Sequence, residues 1–250
     1  MTRASVLGVG CFAGGREDAV RAIVDRARSG EGGYACFGNV HVLVSAAHDD
    51  RVRHALSDAW MVFPDGAPVA WLARRTALVP AARVAGPDVM PGVIEFGQEE
   101  GLRHYLFGST GRVLAGLRER LHRNYPQAEI VGAYSPPFGE MHPELERAAI
   151  ERIKAAEPHV VWCGLGAPKQ ELWMQRHADA LSPALLLGVG AAFDFLSGTK
   201  QRAPEWMRRS GFEWLGRLAY EPRRLAGRYA LTNPEFLVLA AFELAHRRRR

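Results

Sequence analysis

The sequence predicts an α/β fold, in which a mostly parallel sheet carries helices on both faces. Short apolar runs rich in β-branched residues alternate along the chain with longer segments of helical periodicity, and this alternation is typical of parallel sheets. The alternation ends near residue 198, and no strand is evident from residue 201 onward. We therefore expect an α/β core at residues 1–200 and a helical, arginine-rich appendage at residues 201–250.

The strands are predicted where short apolar runs are bounded by glycine, proline or polar residues. In chain order they cover residues 5–9, 34–37, 61–63, 104–107, 129–133, 160–163 and 185–189. Helices are predicted between them at residues 18–27, 40–59, 112–124, 143–156 and 169–181. In the fourth of these helices, apolar residues repeat at helical spacing, with charges on the opposite face, at Leu145, Ala149, Ile153 and Ala156.

The composition is that of an ordinary globular protein with a modest positive charge. Of the 250 residues, 48% are hydrophobic and 24% are charged, which is enough apolar material for a full core. The formal net charge of +5 is compatible with nucleic acid, an anionic membrane or a phosphate-bearing substrate, and it does not distinguish between them.

The cysteines and the apolar runs indicate the compartment. Cys11, Cys36 and Cys163 are far apart and show no zinc-binding or CxxC spacing, which predicts a reduced, cytosolic protein without structural disulfides. The apolar run near the N-terminus is too short for a signal peptide. No run of about 18 apolar residues occurs, so we expect no membrane-spanning segment.

Five strand-to-loop junctions carry glycine-rich or polar sequence, at residues 38–39, 64–66, 108–111, 164–171 and 188–194. In an open parallel sheet, ligands bind beyond the carboxyl ends of the strands. Glycine lets a diphosphate approach the backbone, and helix N-termini supply N–H donors. A single glycine pair is more often a plain turn. Five such junctions in one sheet favour a phosphate-bearing ligand.

Asp65 follows an apolar strand and precedes a glycine. A carboxylate at this position can act as a general base on an incoming hydroxyl. An aspartate before a helix is also typical of an N-cap, here for a helix that starts near Ala67. The local sequence leaves both interpretations open.

Two other enzyme classes have weaker support. Gly8, Gly10 and Gly14 form GxGxxxG rather than the dinucleotide fingerprint, and no acidic residue follows a second strand at the right distance, which disfavours a nucleotide-binding oxidoreductase. The histidines form no HxxxH or HExxH pair, and no DxD motif is present. We therefore predict neither a metal site nor a cofactor.

The appendage interleaves basic and aromatic residues. This pattern suits an interfacial helix on anionic lipid, a nucleic-acid surface, or a helix with a solvated basic face and a buried aromatic side. Arg217, Arg224 and Arg228 would share one face of a continuous helix, although Pro222 between them can break it. The interleaved residues include Arg208, Arg209, Arg223, Trp206, Trp214 and Tyr229.

Taken together, these segments resemble the WecG/TagA/CpsF family, glycosyltransferase family 26. The resemblance covers residues from about 38 to 236, and its motifs occur in the family's order and at its spacing. The motifs are Pro64-Asp65-Gly66, RVAGPD at 83–88, GLGAPKQE at 164–171, GAAFD at 190–194 with Gly198, and RAP at 202–204 through EWLGRL at 213–218.

The resemblance implies a Rossmann-like core and an inverting, metal-independent hexosyltransferase. Such an enzyme would move N-acetylmannosamine or a related sugar from a UDP-sugar to an undecaprenyl-diphosphate-linked saccharide, in the synthesis of cell-surface polysaccharide or wall polymer. It would be cytoplasmic and bound peripherally to the anionic inner face of the cell membrane. Nucleic acid is not an expected partner, and an oligomer is possible.

The resemblance also implies roles for individual residues. Asp65 is the expected catalytic base, and Gln170 is expected near the sugar or the diphosphate. Arg217, Arg223, Arg224 and Arg228 are expected to close the site over the diphosphate and to touch the membrane. The motifs and junctions together supply the expected substrate-binding residues, which are Asn39, Gly66, Arg83, Asp88, Gly108, Gly164, Gly166, Lys169, Gln170, Glu171, Gly190 and Asp194.

One stretch departs from the family pattern. The family usually has a threonine about two residues before its asparagine at the end of the second strand, whereas this sequence has Phe37-Gly38-Asn39. The hydroxyl is therefore missing here. Family members that use UDP-glucose or a UDP-uronic acid for exopolysaccharide remain an alternative.

Overall fold

The computed structural model describes residues 2–76, 80–139 and 141–247, without the side chains of Arg209 and Arg224. It contains an eight-stranded sheet with the order β1-β2-β4-β3-β8-β7-β5-β6. The strands are β1 (Arg3–Val6), β2 (Val9–Phe12), β3 (Gly33–Gly38), β4 (Met61–Pro64), β5 (Arg103–Gly108), β6 (Glu129–Tyr134), β7 (Val160–Gly164) and β8 (Leu185–Gly188). β1 and β2 are antiparallel, whereas the pairs β2–β4, β3–β8, β8–β7, β7–β5 and β5–β6 are parallel. The predicted α/β class and mostly parallel sheet are confirmed.

Helices connect most of the strands and make up the C-terminal segment. They are α1 (Arg16–Ser29), α2 (Val40–His48), α3 (Asp50–Ser57), α4 (Ala67–Thr76), α5 (Gly86–Glu99), α6 (Gly111–Asn124), α7 (Pro143–Ala155), α8 (Lys169–His177), α9 (Ala192–Leu196), α10 (Glu205–Arg209), α11 (Glu213–Tyr220) and α12 (Pro222–Arg247).

The chain divides into two compact units. The first unit consists of residues 1–15, 37–85 and 201–250, and the second consists of residues 16–36 and 86–200. In the first unit, Phe63 packs against Phe12 and Phe37, with ring centroids 5.3 and 5.2 Å apart. In the second unit, Phe107 and Trp173 stack with their centroids 4.4 Å apart. Each unit therefore has an aromatic cluster in its own apolar interior.

The N-terminal segment is a hairpin, so the single strand predicted at residues 5–9 is wrong. Leu7 and Gly8 have φ angles of 51° and 80°, and they form the turn between β1 and β2. Two consecutive residues in the left-handed region are typical of the tight turns that join antiparallel strands. Gly8 therefore lies in a hairpin rather than in the strand–loop–helix context of a dinucleotide fingerprint.

The helix predicted at residues 40–59 is two helices, because Asp49 interrupts it. Asp49 adopts an extended conformation with φ −123° and ψ 110°, and its carboxylate accepts the backbone N–H of Arg51 at 2.9 Å. It therefore serves as the N-cap of α3, a position where aspartate is favoured.

Helix α5 was not predicted, because its sequence contains glycines and two prolines that read as turn residues. Gly92 has a packing reason to be small. A Cβ at this position would lie 3.0 Å from Val20 of α1, so the glycine lets these two helices of the second unit pack closely.

The C-terminal segment is helical, as predicted, but it is not one continuous helix. Helix α11 ends at Tyr220, Glu221 leaves the helical conformation with φ −133°, and Pro222 begins α12. Proline is well suited to a first helical position. Leu225, Phe236 and Ala240 of α12 are buried, and α12 contacts α2 and α4 of the same unit.

Two further sequence predictions concern disulfide bonds and membrane-spanning segments. The three cysteines are free and buried. Across residues 2–76, 80–139 and 141–247, no helix combines the length and apolar character that crossing a bilayer requires.

Candidate active site

In the first unit, Asp65 lies directly after the carboxyl end of β4. Its backbone N–H donates to the carbonyl oxygen of Gly38 at 3.0 Å, which brings the ends of β3 and β4 together, and its side chain is half-buried. A Cβ at residue 38 would lie 2.9 Å from Val62 Cγ1. Gly38 therefore allows a close approach of the two strands that a larger residue would disturb.

Asn39 caps the helix that follows β3. Its Oδ1 accepts the backbone N–H of Val42 at 3.2 Å, so at least part of this predicted substrate-binding side chain has a structural role. Gly66, beside Asp65, has φ 99°, and its carbonyl oxygen accepts the N–H of Ala70 as α4 begins. Only glycine adopts this conformation without strain.

His41 joins this set, and only its position two residues after Asn39 could have indicated it from the sequence. Its Nδ1 is buried and has no hydrogen-bond partner among the described residues. Burial and, to a smaller extent, the charge of Arg228 lower the pKa of His41. The imidazole is therefore favoured in its neutral form, with Arg228 of α12 in its electrostatic neighbourhood.

Arg83 lies beside the same strand end and is joined to the C-terminal segment. The N–H of the next residue, Val84, donates to the carbonyl oxygen of Pro64 at 2.8 Å. Arg83 Nη1 is 3.0 Å from Glu213 Oε2, and Arg202 Nε donates to Glu213 Oε1 at 2.9 Å. Glu213 therefore bridges two arginines, a network that the sequence did not predict.

The remaining arginines of the appendage lie on two helices. Arg217 is half-buried on α11, Arg223 is exposed on α12, and Arg228 is half-buried on α12. The side chain of Arg224 lies outside the described residues. The break at Glu221 prevents Arg217 from sharing one helix face with Arg228.

In the second unit, the carboxyl ends of β5 and β7 meet through glycines. A Cβ at Gly108 would lie 2.6 Å from the carbonyl carbon of Gly164, and the N–H of Ser109 donates to the Gly164 carbonyl oxygen at 3.0 Å. Gly108 has φ 117°. The two predicted junctions at 108–111 and 164–171 are thus adjacent, as expected for neighbouring parallel strands.

Gln170 and Glu171 begin helix α8 at this edge, and both are buried. Gln170 Nε2 donates to Glu171 Oε1 at 2.9 Å and to the carbonyl oxygen of Gly188 at 2.8 Å. Burial raises the pKa of Glu171 to about 7, although the Gln170 hydrogen bond lowers it. The Gln170 side chain therefore connects the junction at residues 164–171 to the junction after β8, which begins at Gly188.

The other predicted binding residues of this unit surround these junctions. Gly166 and Gly190 have φ angles of 80° and 53°, and the N–H of Gly190 donates to the Cys163 carbonyl oxygen at 3.3 Å. Asp194 Oδ2 is 2.7 Å from Lys200 Nζ. Lys169 Nζ contacts the Gly139 carbonyl oxygen, and Asp88 lies in the first turn of α5.

The predicted residues therefore form one set in each unit. Asn39, Asp65, Gly66 and Arg83 lie around the ends of β3 and β4 in the first unit, whereas the junction glycines and Gln170 lie around the ends of β5, β7 and β8 in the second. Within residues 2–76, 80–139 and 141–247, no group of three or more His, Cys, Asp or Glu side chains could hold a metal ion.

Comparison with known proteins identifies relatives along nearly the whole chain. Residues 4–250 match the sequence model described as the glycosyl transferase WecG/TagA/CpsF family. Two relatives are named N-acetylglucosaminyldiphosphoundecaprenol N-acetyl-beta-D-mannosaminyltransferase. The one from Bacillus spizizenii (strain ATCC 23059 / NRRL B-14472 / W23) is 27% identical over 207 residues, 83% of this chain and 78% of the relative. The one from Bacillus subtilis (strain 168) is 29% identical over 186 residues, 74% of this chain and 71% of the relative.

Proposed function

Because this chain belongs to the WecG/TagA/CpsF family and is a glycosyltransferase, we propose that it transfers N-acetylmannosamine from a UDP-linked donor to N-acetylglucosamine on a lipid diphosphate. The names of the two Bacillus relatives supply the sugar and the acceptor in this proposal. The proposed pathway is the synthesis of a wall polymer or a cell-surface polysaccharide.

The observation that carries the proposal is the position of Asp65. It is a half-buried acidic residue at the carboxyl end of a parallel strand, where ligands of open α/β sheets bind. Its backbone is fixed by the hydrogen bond to Gly38, so the carboxylate has a defined position next to Asn39 and Gly66. A general base requires this kind of fixed placement beside the hydroxyl that it deprotonates.

The proposed reaction is an inverting displacement. An acceptor hydroxyl oxygen forms a bond to the anomeric carbon of the sugar while the bond between that carbon and the UDP oxygen breaks. Asp65 takes the hydroxyl proton, and UDP leaves with the electron pair of the broken bond. Inversion follows because the acceptor attacks the face opposite the leaving group.

The negative charge of the diphosphate must be stabilised by cationic side chains or by N–H groups that donate hydrogen bonds. In the first unit, Arg83, Arg217 and Arg228 are the proposed arginines, since guanidinium groups can bind phosphate oxygens in pairs. The second unit, by itself, has glycine-rich junctions after β5, β7 and β8 that are suited to a phosphate-bearing ligand, because their N–H groups can approach a phosphate without a side chain in the way.

The lipid acceptor also requires access to a membrane surface. We propose that the C-terminal segment binds the inner face of the cell membrane peripherally. Exposed apolar side chains on α10, α11 and α12 support this, and they include Trp206, Tyr220, Leu231, Leu237 and Phe242. Arg223 is exposed on the first turn of α12, where it can approach anionic headgroups.

A transfer assay with a donor panel tests the proposal. The protein is incubated with a short-chain lipid-diphosphate N-acetylglucosamine acceptor and with UDP-N-acetylmannosamine, UDP-N-acetylglucosamine, UDP-glucose or UDP-glucuronic acid. Mass spectrometry of the lipid product is expected to show one added N-acetylmannosamine. Transfer of glucose or glucuronic acid instead would identify a different donor, and no transfer from any UDP-sugar would contradict the proposal.

A further inference from the structure

In the second unit, the side chains of Gln170 and Glu171 form a buried polar pair beside residues 188–190. Gln170 Nε2 is 2.9 Å from Glu171 Oε1 and 2.8 Å from the Gly188 carbonyl oxygen. A primary amide has two N–H bonds, so these two acceptors engage both of its donors. Only the carbonyl oxygen of the Gln170 side chain remains to accept a further hydrogen bond.

This carbonyl oxygen is buried and has no hydrogen-bond partner within the part of the chain that the structure describes. The side chain of Gln170 is only 3% exposed. A Cβ at residue 190 would lie 3.6 Å from Oε1, so the oxygen lies beside Gly190, which carries no side chain. Buried acceptors are rarely left without a donor, so this oxygen marks a place where a ligand donor group is favoured.

Gly188 makes the arrangement possible. A Cβ at residue 188 would lie 3.1 Å from Gln170 Nε2 and 2.6 Å from Met174 Cε. A side chain at this position would push the amide away from the carbonyl oxygen that it contacts. The glycine at the end of β8 therefore gives the Gln170 amide its position as well as one of its acceptors.

Glu171 is the more deeply buried member of this pair. It is completely buried, and its Oε2 has no hydrogen-bond partner among the described residues. The titratable groups near it are the thiols of Cys36 on β3 and Cys163 on β7. Burial, and to a smaller extent the charge of Glu171, raise the pKa of both thiols. The described contact of the Glu171 carboxylate with Gln170 is the hydrogen bond that Oε1 accepts from Nε2.

We propose that Glu171 is a positioning residue that holds the Gln170 carboxamide in one orientation, so that its oxygen accepts a hydrogen bond from a hydroxyl or N–H group of the transferred sugar. In the opposite orientation, the amide oxygen would face Glu171 Oε1 and the Gly188 carbonyl oxygen, which are both acceptors. The site then favours sugars that bring a donor to this point and rejects those with an acceptor there. This inference rests on the proposed transferase function.

A double-mutant cycle tests the positioning role. Glu171→Gln keeps a carbonyl acceptor at nearly the same place, whereas Glu171→Met has a similar size and no acceptor. We expect Glu171→Met to lower kcat/KM for the sugar donor by about 10- to 100-fold, the range for losing one strong hydrogen bond, and Glu171→Gln to stay within about threefold of the wild type. In a Gln170→Ala background, Glu171→Met is expected to have almost no further effect.

The cycle has clear contrary outcomes. Equal losses from Glu171→Met with and without Gln170 would overturn the inference, because the two residues would then act independently. Equal losses from Glu171→Gln and Glu171→Met would also overturn it. A wild type that transfers no sugar would instead contradict the proposed function, and the orientation of the amide would then be decided by the following measurement.

Nuclear magnetic resonance of the Gln170 side-chain amide compares wild-type protein with the Glu171→Gln variant and does not require transferase activity. The resonance is assigned by its disappearance in Gln170→Glu. Both amide protons are expected to exchange with solvent at least about 100-fold more slowly than those of exposed Gln127, because both are buried and hydrogen-bonded. The nitrogen shift should titrate with pH in the wild type and stay constant in Glu171→Gln. Fast exchange, or a shift unaffected by pH in the wild type, would contradict the proposed contact.

Discussion

Glu213 Oε2 lies 3.0 Å from Arg83 Nη1, which joins the C-terminal segment to the strand end that carries Asp65. The Glu213 carboxylate also receives a hydrogen bond from Arg202 at 2.9 Å, and all three side chains are less than one-fifth exposed. Removing a carboxylate that is buried to this degree is costly, because the two arginines would then lie close together with no negative charge between them.

The first prediction follows from this network. Glu213→Gln is expected to lower the free energy of unfolding by about 2 kcal/mol, the range for hydrogen bonds to a charged group. The measurement is urea unfolding monitored by tryptophan fluorescence. Glu119→Gln is the matched control, since its pair with Arg123 is exposed and should contribute less than about 0.5 kcal/mol. An equal loss of unfolding free energy in the two variants would show that Glu213 stabilises the fold no more than an exposed ion pair does.

The second prediction concerns Asp65. Asp65→Asn keeps the size of the side chain but cannot accept a proton, so kcat is expected to fall by about 10²–10⁴-fold, the usual contribution of a positioned base. Donor binding, measured by calorimetry with the UDP-sugar, should change little. Turnover close to that of the wild type would exclude Asp65 as the base.

The third prediction concerns the pH dependence of stability. The pKa of Glu171 is raised by burial from 4.5 to about 7, so between these values the folded protein binds a proton that the unfolded chain has released. This contribution to stability is present below pH 4.5 and is lost as the pH rises towards 7. Relative to Glu171→Gln, which does not titrate, the wild type should lose on the order of 3 kcal/mol across this range.

Denaturant unfolding of both proteins at several pH values measures that difference. Glu151→Gln is a suitable control, because Glu151 is exposed and its replacement should leave the wild-type pH profile unchanged. A constant difference between the wild type and Glu171→Gln from pH 4.5 to 7 would contradict the raised pKa.

The fourth prediction is that transfer does not depend on a divalent metal. The arginines of the first unit are proposed to stabilise the leaving diphosphate without a metal ion, so EDTA should leave the initial rate unchanged within about twofold. A rate that collapses in EDTA and returns with magnesium would refute this. Dialysis of the EDTA-treated protein before the assay controls for direct effects of the chelator.

The fifth prediction concerns membrane binding. Reversing the charge of an exposed arginine on α12, in Arg223→Glu, should weaken binding to phosphatidylglycerol vesicles by about 30-fold at low salt, since two charge units near an anionic surface contribute about 2 kcal/mol together. Vesicle sedimentation measures the effect. Arg147→Glu makes the same charge change at an exposed position on α7 and should leave binding nearly unchanged. Equal weakening in both variants would indicate a general charge effect.

Local sequence signals were sufficient for the parts of the fold and site that depend on neighbouring residues. The apolar runs predict most of the parallel strands, and local glycine content is enough to predict the junctions after β5, β7 and β8. The helix break at Pro222 was also foreseen as a possibility, because proline cannot continue a helix without losing a hydrogen bond.

Other features depend on information that local patterns lack. Leu7 adopts a left-handed conformation that leucine rarely favours, so the local pattern predicts a single strand where the structure has a hairpin. The pairing of Arg83 with Glu213 joins residues far apart in sequence, and nothing near either residue indicates the other. The complete burial of Glu171 could not be read from a motif in which it follows a lysine and a glutamine.

The division of the first unit into three chain segments has a consequence for biosynthesis. The backbone N–H of Leu7 donates to Glu243 Oε2 at 2.7 Å, across a sequence separation of 236 residues. During translation, every residue of the second unit has been made once residue 200 is added, whereas the first unit still lacks its final segment. At about 5–20 residues per second, that segment needs several seconds more. The hydrogen bond between Leu7 and Glu243 therefore cannot form until residue 243 has been synthesised, so the first unit completes its contacts only at the end of translation.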